Sequence, residues 1–318
     1  MNLENDVLAI ATRSGRAIGT EGHDRARDYL IDRLAEISID PYLPSGFNAS
    51  YEYNGQEYSN LLAITPGTDL SLSPVLIGAH YDTCGSLPGA DDNAAAVAIV
   101  LEMAAQTTNK PPERSVIFAL FDAEEPPDFL SPSMGSIRFF NDQKKDKLHC
   151  ALIMDLVGHD VQVPGLEDLL FISGMESNEA LGTAIQNCPI DKSIRILPTL
   201  NSYIGDMSDH HVFREHQVPY LFFSCGTWPH YHRCSDTPEK LNYKKMEGIT
   251  RYILSLTGCI SDQDMIGDFE GYDSTLIELK YICETLTPVL KQLGIPSEPK
   301  SRKDIDGLAS MVMSYLGV

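Results

Sequence analysis

With 318 residues, 43% of them hydrophobic, and a net charge of −21, the chain can build one large core but repels nucleic acid and anionic membrane surfaces as partners. Its start, Met1-Asn2-Leu3-Glu4-Asn5-Asp6-Val7, is acidic and lacks a long apolar core, and no stretch is long enough to span a bilayer. The expectation is a cytoplasmic protein, or a secreted or periplasmic one if a leader has been removed. Seven cysteines, at 84, 150, 188, 225, 234, 259 and 283, lack zinc-finger spacing and read as mostly reduced thiols, with a Cys225–Cys234 bridge reserved for an exported protein.

In chain order, residues 23–37 space their apolar side chains near 3.6 with charges between, which predicts an amphipathic helix. Pro74-Val-Leu-Ile-Gly-Ala-His80-Tyr-Asp82 reads as a buried strand that stops on a histidine and an acid. Gly89-Ala-Asp-Asp92-Asn93 follows, then an Ala-rich helix over 94–107 suited to close packing on a sheet. Val116-Ile-Phe-Ala-Leu-Phe-Asp-Ala-Glu124-Glu125 is a second strand that stops on acids, and a proline-rich loop, 126–134, comes next as a candidate specificity element. Ala151-Leu-Ile-Met-Asp155 and Tyr220-Leu-Phe-Phe-Ser224 are further strands, the last leading to His230, Tyr231 and His232. Strands alternating with helices predict a three-layer αβα protein around a central mixed, mostly parallel sheet. Ligands are then expected beyond the carboxyl ends of the strands.

Buried strands that end on imidazole or carboxylate, as three of these four do, are costly unless something pairs those groups. Taken singly, each motif has an ordinary reading. His-x-Asp forms local hydrogen bonds, an acid pair is usually solvated, and Asp-Asp-Asn caps a helix. Their order and spacing together point to a cation site, and nitrogen plus several carboxylate oxygens suits Zn²⁺, then Mn²⁺ or Co²⁺.

From about Ser14 to Tyr243 these motifs resemble the co-catalytic zinc aminopeptidases of the bacterial leucyl aminopeptidase family, which share a fold with zinc carboxypeptidases and glutaminyl cyclases. The resemblance implies a zinc exopeptidase fold, phosphorylase/hydrolase-like, and two zinc ions per chain. It assigns His80, Asp92, Glu125, Asp155 and His232 as metal ligands, with Asp92 bridging, and Glu124 as the general base that activates a metal-bridging hydroxide. His232 fits because it lies four residues before Asp236-Thr237, whereas His230 does not. Asp82 is expected to accept the His80 ring proton, since it cannot bind the same ion at that spacing. Tyr231 is either an oxyanion donor or a packing group. The implied substrate is a peptide with a free N-terminus. The nearest alternative is a single-zinc glutaminyl cyclase, and beyond it an inactive binding module of the same fold.

His210 and His211 are read as lining the substrate cleft or as a helix start capped by Ser208 or Asp209. His23, His149, His159 and His216 are read as surface or locally bonded groups. Phe129, Tyr203 and Trp228 are candidates for a hydrophobic pocket. Residues 1–257 are expected to form the catalytic domain. The segment 258–318 is expected to be a helical extension packed on that domain or used for dimerisation, so the protein is a monomer or homodimer. Its apolar stripe is Leu276, Leu279, Ile282, Cys283, Leu286, Val289, Leu290 and Leu293, interrupted at Pro288, with a shorter helix from about Ile305.

Overall fold

The computed structural model describes residues 1–143, 147–292, 294 and 298–316, with side chains described as far as Met311. A nine-stranded sheet forms its centre: β1 (Asp40–Pro41), β2 (Asn48–Tyr53), β3 (Gln56–Thr65), β4 (Val75–His80), β5 (Val116–Phe121), β6 (Cys150–Met154), β7 (Leu169–Ser173), β8 (Arg195–Pro198) and β9 (Tyr220–Ser224). The order is β1-β3-β5-β4-β6-β9-β7-β8, with β2 also paired to β3. The inner strands β5, β4, β6 and β9 are mutually parallel, whereas β3 and β7 join them antiparallel at the flanks. This is the mixed three-layer architecture that the alternation of strands and helices predicts.

Every residue of β4, β5, β6 and β9 is buried, which is why these strands read as continuous apolar runs and not as alternating ones. The period of two still sorts their side chains. Val75, Ile77, Ala79, Phe118, Leu120 and Leu152 enter the larger core, under the helices Leu3–Ile10, Glu21–Ile37, Ala95–Asn109 and Tyr243–Ser261. Leu76, Ile117, Phe121, Ile153 and Phe222 face the opposite layer, where Phe139 of the helix Gly135–Asp142 and Phe213 of the helix His210–Glu215 cover them. Because the four inner strands run the same way, their last residues and following loops meet at one edge of the sheet.

The helix Tyr243–Ser261 runs across the expected 257/258 boundary, and the remaining segment follows it. It packs on the main core. Ile282, Leu286, Val289, Leu290, Ile305 and Leu308 belong to that core cluster, and the Tyr281 hydroxyl donates to the Ile185 carbonyl at 3.2 Å. The expected stripe needs correcting, since Leu276 is 80% exposed and Cys283 is exposed. One wide turn, Ile282–Leu286, breaks the helix ahead of Pro288 and shifts its phase, which brings Glu278 and Tyr281 inward instead. Leu293 lies outside the described residues, and the last helix starts at Arg302.

Glu278 is 1% exposed and is met by both arms of the Arg302 guanidinium. Arg302→Ala would leave that carboxylate buried without its counter-charge. With Arg302 itself partly in water, a stability loss of about 1–3 kcal/mol is expected, read as a lower urea midpoint. Among the described residues no helix is long and apolar enough to cross a membrane. All seven cysteines are free thiols, Cys225 buried and Cys234 exposed, so the two do not pair here.

Candidate metal centre

His80 is the last residue of β4, and its ring is fully buried. Its Nε2 stands 3.4 Å from Asp92 Oδ1, 3.6 Å from Asp155 Oδ1 and 3.8 Å from Glu124 Oε2. These separations exceed those of good hydrogen bonds. They suit donors arranged around a common cation, whose ligand atoms stand roughly 3–3.7 Å apart at zinc bond lengths. The other Asp92 oxygen, Oδ2, faces the second histidine, 3.1 Å from His232 Nε2, and that nitrogen is 3.0 Å from Glu125 Oε2. One carboxylate therefore faces two groups of donors, a His80–Asp155 group and a His232–Glu125 group.

Asp82 ties the first loop to the second. Its Oδ1 lies 3.3 Å from His80 Nδ1, and its two oxygens accept the backbone N–H groups of Glu124 and Glu125 at 3.1 and 3.0 Å. It thus lies against the His80 ring and holds the backbone of the Glu124-Glu125 turn. Ala123, just before that turn, has φ 59°, Leu156, just after Asp155, has φ 55°, and His232 itself has φ 52°. Non-glycine residues held there cost of order 1–3 kcal/mol each, and they cluster in three of the loops that carry these acidic and imidazole groups.

The Asp92 loop is fixed from beneath. Asp236 accepts the N–H groups of Asp91 and Asp92 at 2.9 and 3.2 Å. Asp91 accepts from Gly158 N–H at 2.7 Å and stands 2.6 Å from His159 Nδ1. Gly89 has φ 57°, and a Cβ there would fall 2.3 Å from the Asp92 carbonyl oxygen, so no side chain fits. The buried Arg16 guanidinium donates to the carbonyls of Tyr81, Pro88 and Gly89 at 2.6, 2.8 and 2.9 Å, stapling both ends of the 81–89 loop.

Five carboxyl groups, Asp92, Glu124, Glu125, Asp155 and Asp209, are buried together. Burial would raise Asp92 too, but the facing His232 and His80 rings outweigh it and hold its carboxyl well below the usual range. Burial pushes Glu125 up to about 7, helped by the charge on Asp92. Burial also pushes Glu124 well above its ordinary value, against the pull of His80, with Asp155, Asp209 and Glu125 adding to the rise. Glu125 Oε1 and Asp155 Oδ1 are buried with no hydrogen-bond partner. Such a set lacks positive charge, and divalent cations would supply it, so the residues present fit metal ions.

Several residues stand differently from expectation. His210 is buried against Phe222 at 4.2 Å, and burial lowers its imidazole to about 4, so it packs and does not line a cleft. Neither Ser208 nor Asp209 caps the helix that follows. Asp209 is instead a fully buried acid that the sequence reading missed, pushed up to about 7 by burial against the pull of His80. His23 and His159 take the hydrogen-bonding reading and not the surface one. His23 is buried 2.8 Å from Asp122, and His159 stacks on Trp228 at 4.7 Å. Trp228 is therefore core, and the Tyr203 hydroxyl is taken up by Asp306 and Arg302, whereas Phe129 is half-buried in the loop beyond Glu125. Tyr58 and Ser133 hydroxyls donate to Asp128 within that loop, at 2.9 and 2.5 Å. Tyr231 stacks on the His232 ring at 3.9 Å. Burial and then the charges of Asp92, Asp155, Glu125 and Glu124 push its hydroxyl well up, keeping it a donor.

The YfbL protein of Escherichia coli K12 is 27% identical over 271 residues, covering 74% of this chain and 82% of that one. A vacuolar membrane protease of Eremothecium gossypii is 23% identical over 65% of this chain, but the match spans only 22% of that protein's length. Among solved structures, the LapA aminopeptidase of Legionella pneumophila superposes with a TM-score of 0.64 at 17% identity, over 82% of this chain and 69% of that one. The glutaminyl cyclase of Tannerella forsythia gives 0.62 at 21%, over 81% and 97%. The last two likenesses bear on the fold, and both proteins carry it. The model of peptidase family M28 matches residues 60–257, the span from β3 to the helix after β9 that contains all the proposed ligands, and the chain belongs to that family.

Proposed function

We propose that this chain is a zinc-dependent aminopeptidase that releases N-terminal residues from peptides and holds two zinc ions. The observation that carries the reading is the Asp92 carboxylate, whose two oxygens face His80 and His232 separately at 3.4 and 3.1 Å. His80 and Asp155 would hold one ion, His232 and Glu125 the other, with Asp92 shared. Membership of peptidase family M28 supports peptide hydrolysis, and imidazole with carboxylate supports zinc. When bound, two such ions supply Lewis-acid polarisation of a water and of the scissile carbonyl.

The chain's own groups do the rest. Glu124 Oε2, which stands 3.8 Å from His80 Nε2, takes a proton from the attacking water and returns it to the leaving amine. The Tyr231 hydroxyl donates to the carbonyl oxygen as negative charge develops there. Asp82 keeps the His80 ring oriented through Nδ1. A net charge of −21 draws in a protonated amino terminus and disfavours acidic peptides.

Paired peptides of one sequence, with a free or an acetylated N-terminus, test the substrate class. Release of the first residue is expected only from the free form. Equal cleavage of both would contradict an aminopeptidase, and conversion of glutaminyl peptides to pyroglutamate in place of hydrolysis would favour cyclase chemistry.

A further inference from the structure

We propose that Cys84 is a fourth protein ligand to the ion held by His232, Glu125 and Asp92. The inference rests on the two-ion reading above and adds a residue to it. The Cys84 sulfur and one donor atom each of Glu125 and His232 all lie within 4.8 Å of one another. Cys84, Asp92, Glu125 and His232 line a common cavity of about 10 Å³, the scale of a single small occupant. Glu125 Oε1 is buried in this group with no hydrogen-bond partner.

The loop holds the cysteine there. Thr83, its neighbour, accepts the Arg16 N–H at 2.7 Å and donates to the Gly85 carbonyl at 2.9 Å, and Arg16 fixes the loop's two ends. Bond lengths near 2.3 Å to sulfur and 2.0–2.2 Å to nitrogen and oxygen place tetrahedral donors roughly 3.3–3.6 Å apart, which the half-buried Cys84 side chain reaches by a small movement.

Two consequences follow from the donor count. Cys84, His232, Glu125 and Asp92 would give one ion four protein donors, whereas His80, Asp155 and Asp92 give the other three, which leaves the His80 ion more room for water and substrate. Glu124 lies on that side, 3.8 Å from His80. The thiolate also makes the His232 position favour thiophilic ions, zinc, cobalt or cadmium, over manganese or magnesium.

Cobalt(II) chloride titrated into the metal-free protein tests this by absorption spectroscopy. Two equivalents are expected to bind, with a near-ultraviolet sulfur-to-cobalt charge-transfer band. That band should be absent in Cys84→Ser and kept in Cys234→Ser, and Cys84→Ser should weaken one of the two sites by about tenfold or more. Thermal melting of metal-free Cys84→Ser confirms that the variant is folded. Two bound cobalt ions without the band, or a band that survives in Cys84→Ser, would overturn the proposal and leave the two-ion reading standing. Fewer than two ions on the unaltered protein would overturn both.

Discussion

Glu124→Gln is expected to keep its metal ions and lose about 10²–10⁴-fold in turnover. The amide has the shape of the acid and sits in the same turn, whose backbone N–H groups Asp82 still accepts. What it cannot do is take up a proton. The proposed ligands His80, Asp155 and Asp92 are untouched, so metal content and melting temperature should match those of the unaltered chain while kcat falls. A similar kcat for both proteins would remove Glu124 from the chemistry and, with it, the proposed mechanism.

Asp92→Ala should do something different: it should cost metal. A single carboxylate faces both histidines, so its loss takes an oxygen and a share of negative charge from each group of donors at once. Elemental analysis of the purified variant is expected to fall below one ion per chain, with activity falling in proportion and partial recovery only at a large excess of zinc. Retention of two tightly held ions would show that Asp92 is not shared between them. The contrast with Glu124→Gln separates a ligand from a base, since one variant is metal-poor and the other metal-replete.

Much of this site is legible in the sequence because it hangs on four strand ends. A buried strand that stops on His80, on Asp155 or just short of Glu124 must place those groups at the sheet edge, and parallel neighbours bring the edges together. What supports the site is not legible in the same way. Asp236 binds the backbone of Asp91 and Asp92 from 144–145 residues away, and Arg16 reaches Gly89 across 73, and neither spacing leaves a local pattern. Asp209 reads in the sequence as a helix-cap candidate, and an acid in that place has no further signature until the fold buries it. Backbone shape is equally silent, since no motif announces positive φ at Ala123, Leu156 and His232. The extension shows the opposite failure. Its apolar spacing is real, but a single wide turn at Ile282–Leu286 rotates the stripe and leaves Leu276 in water.

The sharing of Asp92 by two zinc ions that serve peptide hydrolysis is tested most directly by zinc content of the purified protein, measured beside hydrolysis of a panel of aminoacyl chromogenic substrates before and after chelation. Two ions per chain, with hydrolysis that chelator abolishes and zinc restores, is the predicted result. Hydrolysis that survives complete removal of metal would contradict it, as would a single zinc ion on a protein that hydrolyses none of the panel.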